Sequence, residues 1–243
     1  MTRIAILEAG HPPDHLKDAF DDYPARFRAL LGEGVPTVRF DVQSGRLPED
    51  PAAFQGVIVT GSAAGVYDDL PWIPTLIDWL RAARGQTRLV GICFGHQVLA
   101  HAFGGVVEKS DKGWGVGLHR YDVHGTEPWM HPRARTIAIP VSHQDQVTAI
   151  SPDARVIASS GFTPYAGLAW GDDAMSFQCH PEFQPEYAAA LVEGRRGARI
   201  PEPLADAAID SLKRPNDRAV LTAWIRAFLL LTPPPVEDHG SGI

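Results

Sequence analysis

Arg88-Leu-Val-Gly-Ile-Cys93-Phe-Gly-His-Gln97 is the stretch on which the reading of the whole chain turns. Its apolar run is too short for a helix and reads as a buried strand. A helix is predicted directly after it, from about Gly95 to Phe103. Cys93 stands between the two, with Gly91 and Gly95 on either side. A sharp strand-to-helix turn lifts one side chain above a sheet, which is the logic of a nucleophile elbow. The glycines allow a tight backbone and a close approach of strand and helix. A thiol there faces the positive end of the helix dipole, which favours the thiolate. A lone cysteine in an apolar strand is usually packing; the glycine framing makes Cys93 a candidate nucleophile.

Other short apolar runs surround this one. Residues 3–8 and Gly56-Val-Ile-Val-Thr-Gly-Ser62 read as buried strands, and Val38 to Val42 as an alternating one. Helical spacing runs from Tyr23 to Leu31, with Phe27, Leu30 and Leu31 on one face, and from Trp72 to Arg84. Strands alternating with helices predict an α/β fold with a mostly parallel central sheet covered on both faces. From Gly115 to Gln178 the pattern changes to alternating segments at 116–123, 136–141, 155–159 and 166–170, separated by Gly, Pro and Asp turns. These predict antiparallel strands added to the sheet edge or folded over it. Helices are expected at 185–194 and 216–231, joined by a polar, proline-containing stretch. Residues 1–231 read as a single domain, and 232–243, with three consecutive prolines, as a disordered tail.

Composition narrows the function classes. The 243 residues are 44% apolar and 21% charged, as in an ordinary globular protein. Twenty-two basic against 29 acidic residues give a net charge of −7, which argues against nucleic acid or an anionic membrane as partner. The two cysteines, Cys93 and Cys179, are too few for a disulfide scaffold and fit no zinc spacing, so both are expected as free thiols in a reducing compartment. The N-terminus lacks the apolar core of a signal peptide and no segment approaches 18 uninterrupted apolar residues. A soluble, cytoplasmic protein is expected.

Two further segments carry chemistry. In Phe177-Gln-Cys-His-Pro-Glu-Phe183, His180 and Glu182 are two apart, so on an extended segment they leave from the same face. A histidine steered by a carboxylate is the base a cysteine nucleophile needs. Cys179 points the other way and is read as packing. The turn at Gly61 and Ser62 ends a strand, and its backbone N–H groups can form half of an oxyanion hole, the Phe94 amide supplying the rest.

In order and spacing these segments resemble the class I, triad-type, glutamine amidotransferase family. The resemblance covers about residues 4–195 and rests on T-G-S at 60–62, G-I-C-F-G-H-Q at 91–97, F-G-G at 103–105, S-H-Q-D-Q-V at 142–147 and Q-C-H-P-E-F at 178–183. It implies the family's flavodoxin-like fold. It also implies Cys93 as nucleophile, His180 as general base and acid, Glu182 as the residue orienting it, and the amides of Ser62 and Phe94, with Gly61, as the oxyanion hole. Gln97, Trp114 and His143 fall where the family holds substrate, and Asp145 takes a supporting part. Ser62 stands where many relatives have a second glycine. The chemistry implied is cleavage of a γ-glutamyl amide through a thioester, with no cofactor and no metal. His11 and His15 are four apart, but Pro12 and Pro13 intervene and no metal pair is read there.

About 48 residues follow position 195, too few for an ATP-using synthetase domain, and no phosphate-binding G-x-x-x-x-G-K-[ST] loop is present. With K-G-W-G-V-G at 112–117, the chain looks most like the stand-alone branch that includes γ-glutamyl peptidases and GMP-synthase-like amidotransferases. Three readings stay open: a stand-alone hydrolase of a small γ-glutamyl substrate, a glutaminase subunit feeding a separate synthase partner, and a binding protein of the same fold. A homodimer is open too. Loops 10–24, 63–72 and 110–131 are expected to read the leaving group. Trp72, Trp114 and Trp129 are candidates for an apolar subsite, though each alone reads as packing. His96 and His101 read as packing or surface residues, and Arg195-Arg196 with Arg199 as a solvated face.

Overall fold

The computed structural model describes residues 3–231; the predicted tail at 232–243 lies outside them. The apolar runs near the N-terminus become strands β1 (Ile4–Glu8), β2 (Thr37–Asp41), β3 (Gly56–Val59) and β4 (Arg88–Ile92). Between them lie helices α1 (Tyr23–Leu31) and α2 (Trp72–Ala83), and α3 (Phe94–Ala102) follows β4. Local chemistry accounts for these boundaries. The Asp22 carboxylate caps α1 by accepting the Ala25 N–H at 2.7 Å, and Pro24 occupies its first turn. Helix α2 buries Trp72, Ile73, Leu76, Ile77 and Leu80, an apolar stripe of helical period.

The second half supplies β5 (Val106–Lys109), β6 (Gly115–Val123), β7 (Thr136–His143), β8 (Asp145–Ala149), β9 (Arg155–Ser159), β10 (Gly167–Trp170) and β11 (Ala174–Phe177). It ends with α4 (Pro185–Glu193), α5 (Glu202–Ser211) and α6 (Arg218–Phe228). One nine-stranded sheet runs β2-β1-β3-β4-β11-β10-β9-β6-β7. Its β1, β2, β3, β4 and β11 pair in parallel and the remainder antiparallel. The expected antiparallel strands therefore extend the sheet, and β11 is the splice between the halves. Strands β5 and β8 form a separate two-stranded ribbon.

Sheet alternation divides the core in two. Ile4, Ile6, Ile58, Val90 and Ile92 face α1 and α6, packing with Phe27, Leu31, Trp224 and Phe228. Ala5, Leu7, Val57, Val59 and Leu89 face α2 and α3. Four strands and helices lie outside the sequence prediction, β11 (Ala174–Phe177) among them. Helix α5 falls in the stretch read as a polar connection, and β5 and β8 in stretches with no strand signal. No helix among the described residues is long and apolar enough to cross a membrane.

Candidate active site

Cys93 occupies the single residue between β4 and α3, with φ 55° and ψ −104°. A non-glycine residue held there stores roughly 1–3 kcal/mol of strain, which surrounding structure must impose. Gly91 and Gly95 are part of that frame. A Cβ on Gly95 would sit 2.2 Å from the Val59 carbonyl oxygen, and one on Gly91 would sit 2.3 Å from the Gly95 oxygen. The Cys93 N–H donates to the Phe177 carbonyl at 2.9 Å, tying the turn to β11. Phe94 opens α3, so its N–H has no partner within the helix.

Beyond β11 the chain continues through Gln178 and Cys179 to His180, whose N–H donates to Pro140 on β7 at 2.9 Å. The His180 ring stacks on Phe183, centroids 3.9 Å apart, and its Nδ1 donates to Glu182 Oε1 at 2.7 Å. Both side chains are almost fully buried. Burial opposes a charge on His180. The negative charges of a Cys93 thiolate and of Glu182 outweigh it and push its pKa up to about 10. With Nδ1 bonded to Glu182, the imidazole Nε2 is the ring atom left for proton exchange with Cys93. Gly61 comes close to both groups: a Cβ there would lie 3.1 Å from His180 Cε1 and 3.7 Å from Cys93 Cβ. Ser62 needs no left-handed backbone, and its Oγ accepts the Ala64 N–H at 3.2 Å, closing the turn. Gly10 makes room for that turn, since a Cβ there would meet Ser62 Cα at 2.8 Å.

A second layer of side chains holds the thiol. Gln178 Nε2 lies 3.6 Å from Cys93 Sγ. Gln97 donates to Gln178 Oε1 at 3.1 Å and to the Asp145 carbonyl at 2.9 Å. His143 Nδ1 also donates to that carbonyl, at 3.1 Å, and burial pushes its pKa down to about 3, so it is neutral. His96 is fully buried, 2.8 Å from Ser176 Oγ, and is likewise held neutral by burial. Cys179 is buried in the core on the α6 side of the sheet, and burial raises its thiol pKa well above the ordinary range.

Two cavities meet at Cys93. The smaller, of about 240 Å³, is lined by Gln97, Trp114, His143, Asp145 and Asp68 among others. The larger, of about 370 Å³, adds His180 and Gly61 to residues of the 10–24 loop and of the segment after α4. Of the three tryptophans, Trp114 alone lines these cavities; Trp72 packs on Phe94 and Trp129 on Phe228. The solvated face expected at 195–199 is corrected for Arg195: Arg196 turns outward to Glu193 and Asp206 and Arg199 is exposed at the rim of both cavities, but Arg195 is half-buried and lines them. The Arg195 guanidinium donates to Ser142 Oγ at 2.6 Å and lies 5.3 Å over the Trp114 ring. A run of arginines after a helix carries no local mark of this inward fold. Gly197, whose φ of 69° lets the chain turn back, is its sign in the sequence.

The family model for glutamine amidotransferase class-I matches residues 26–193. The chain belongs to the class I glutamine amidotransferase family. A glutamine amidotransferase-like protein of Schizosaccharomyces pombe is 28% identical over 93% of this chain and 98% of its own length. Gamma-glutamyl peptidase 3 of Arabidopsis thaliana is 26% identical over 79% of this chain and 81% of its own. Among solved structures, a glutamine amidotransferase from Methylobacillus flagellatus superimposes with a TM-score of 0.72 at 25% identity, covering 94% of this chain and 92% of the other. The span shared with class I glutamine amidotransferases contains Cys93, His180 and Glu182. His11, His15, Arg195 and Arg199 lie outside it.

Proposed function

We propose that the chain hydrolyses a γ-glutamyl amide bond, with Cys93 as nucleophile. The observation that carries this reading is a strained elbow cysteine set beside a buried imidazole that is bonded to a carboxylate at 2.7 Å. The Cys93 thiolate attacks the δ-carbon of the γ-glutamyl group, and the carbonyl electrons move onto oxygen. The amides of Ser62 and Phe94, at the turn opened by Gly61, receive that oxyanion. The C–N bond then breaks as the His180 Nε2 proton passes to the leaving amine, giving a γ-glutamyl thioester. Water attacks the thioester, His180 takes its proton, the C–S bond breaks, and glutamate leaves as the thiolate re-forms. Glu182 keeps the ring in one orientation and stabilises its charge. The smaller cavity, with Gln97, Trp114 and His143, holds the glutamyl moiety, where Asp68 and Asp145 suit its α-ammonium group. Likeness to a γ-glutamyl peptidase over four-fifths of that protein favours a hydrolase acting on conjugates.

The test is glutamate release by the purified chain from glutamine and from a panel of γ-glutamyl peptides and amines, with Cys93→Ala as blank. Release from conjugates above that from glutamine is the expected result, and none from Cys93→Ala. Full activity of Cys93→Ala would overturn the mechanism. Silence on every compound, with the thiol still alkylated by a glutamine-like reagent, would favour the partner-dependent glutaminase instead.

A further inference from the structure

Cys93 lines the two cavities already described, and Glu182 lines neither. Glu182 instead borders a separate cavity of about 310 Å³, shared with Asp21, Arg26, Gln184 and Arg218 among others. Its Oε1 accepts the His180 Nδ1–H, while its buried Oε2 has no hydrogen-bond partner among the described residues. A thiolate, an imidazolium and a carboxylate together leave the triad with a net negative charge. In a buried place such a charge calls for compensation. Two arginines stand behind the carboxylate, and they are not equivalent.

Arg218, the first residue of α6, is bonded to the catalytic segment itself. Its Nε donates to the Pro181 carbonyl at 2.7 Å and its Nη1 to Gln184 Oε1 at 2.7 Å. It therefore grips the chain on both sides of Glu182. Burial lowers the Arg218 pKa and the Glu182 charge opposes that drop, so the guanidinium stays charged. Arg26 is engaged elsewhere: its Nε donates to the Asp21 carbonyl at 3.0 Å and its guanidinium lies 3.6 Å over the Tyr187 ring.

The start of α6 is fixed in turn. The Asp217 N–H donates to the Ala138 carbonyl at 2.8 Å, and Asp217 Oδ2 accepts the Ala138 N–H at 2.7 Å. Two residues further along β7, the Pro140 carbonyl accepts the His180 N–H. One strand thus holds both His180 and the helix that presents Arg218. Position 218 lies outside the span 26–193 matched to the family, so the family motifs carry no mark of it.

We propose that Arg218 is a positioning residue for the hydrolysis, acting through Glu182. Its two charge-assisted bonds fix the segment 181–184, and its charge balances the carboxylate from behind. The proposal rests on the hydrolase reading, in which Glu182 orients His180. Arg218 lines neither cavity at Cys93, so its effect falls on turnover and not on substrate binding.

The experiment is a double-mutant cycle between Arg218→Gln and Glu182→Gln, read as kcat and KM for glutamine and for γ-glutamylalanine. Rates are taken well below the unfolding midpoint of each variant. Arg218→Gln alone is expected to lower kcat about tenfold, with KM within about twofold of the wild type. In the Glu182→Gln background the same change is expected to lower kcat by less than about twofold. Arg218→Met, which keeps the apolar stem, repeats the cycle if the glutamine variant fails to fold. A second readout needs no turnover: the downfield NMR resonance of the His180 Nδ1 proton. It is expected to be sharp in the wild type and broadened by exchange with water in Arg218→Gln. Unchanged kcat, an equal loss in both backgrounds, or an unchanged resonance overturns the proposal and leaves the hydrolase reading standing. Silence of the wild type on both compounds removes the hydrolase reading, and the resonance then decides on Arg218 by itself.

Discussion

His180 is charged because of its neighbours, not its solvation. Burial favours the neutral ring, yet the thiolate and Glu182 hold the proton on it until the pH approaches about 10. The folded value lies above the ordinary imidazole value. The stabilisation from this charged ring is therefore present at neutral pH and lost as pH rises through the folded value. The alkaline limb of kcat/KM is expected in that region. Removing either negative charge should bring His180 down. In Cys93→Ala and in Glu182→Gln its NMR titration is expected at lower pH than in the wild type, and Glu182→Gln should slow turnover about a hundredfold without abolishing it. An unshifted titration in both would mean that the proton is held by something else. Cys93, His180 and Glu182 were legible because each lies in a short motif whose chemistry is local. Arg195 was not, because what distinguishes it from Arg196 is a contact with Trp114 and Ser142 that no nearby residue encodes.

Among the elements, β4 and α3 make the most demanding junction. The Gly95 Cα approaches the Val59 carbonyl of β3 so closely that any side chain must push helix and strand apart. Gly95→Ala is expected to cost about 3 kcal/mol in denaturant unfolding and to suppress thiol reactivity as well. Gly34 is the control. It is exposed and has open space around its Cα, so Gly34→Ala should change stability by no more than about 0.5 kcal/mol. Equal effects would show that the elbow is not tight. Helices and strands with large apolar side chains at regular spacing were predictable within a few residues. Helix α5 buries only Ala205 and Ala208 along its length, too little apolar surface to stand out from a polar connection. Strand β11, Ala-Met-Ser-Phe, is four residues long and runs straight into the His180 segment, so its existence depends on the slot between β4 and β10.

For the molecule as a whole, the two largest cores are divided by one sheet, with smaller apolar clusters under α4 and α5. Trp224 of α6 is fully buried in the first, near Phe177 of β11, and its Nε1 donates to the Pro132 carbonyl at 2.9 Å. Trp224→Ala is expected to cost about 3–5 kcal/mol, read as a lower denaturation midpoint. A loss under about 1 kcal/mol would show that α6 is peripheral to this core. The α/β class and the parallel N-terminal half followed from alternation of short apolar runs with helices. The continuity of the second half did not, because pairing across β11 joins residues far apart in the chain. That pairing reaches into the chemistry. The Cys93 N–H is itself the last rung between β4 and β11, bonded to the Phe177 carbonyl at 2.9 Å. The backbone that carries the thiol is thus stitched into the middle of the sheet instead of riding on a flap above it. Such a centre is expected to have no melting point of its own: on warming, the reactivity of the Cys93 thiol should persist until the sheet parts and then be lost with the fold in one transition.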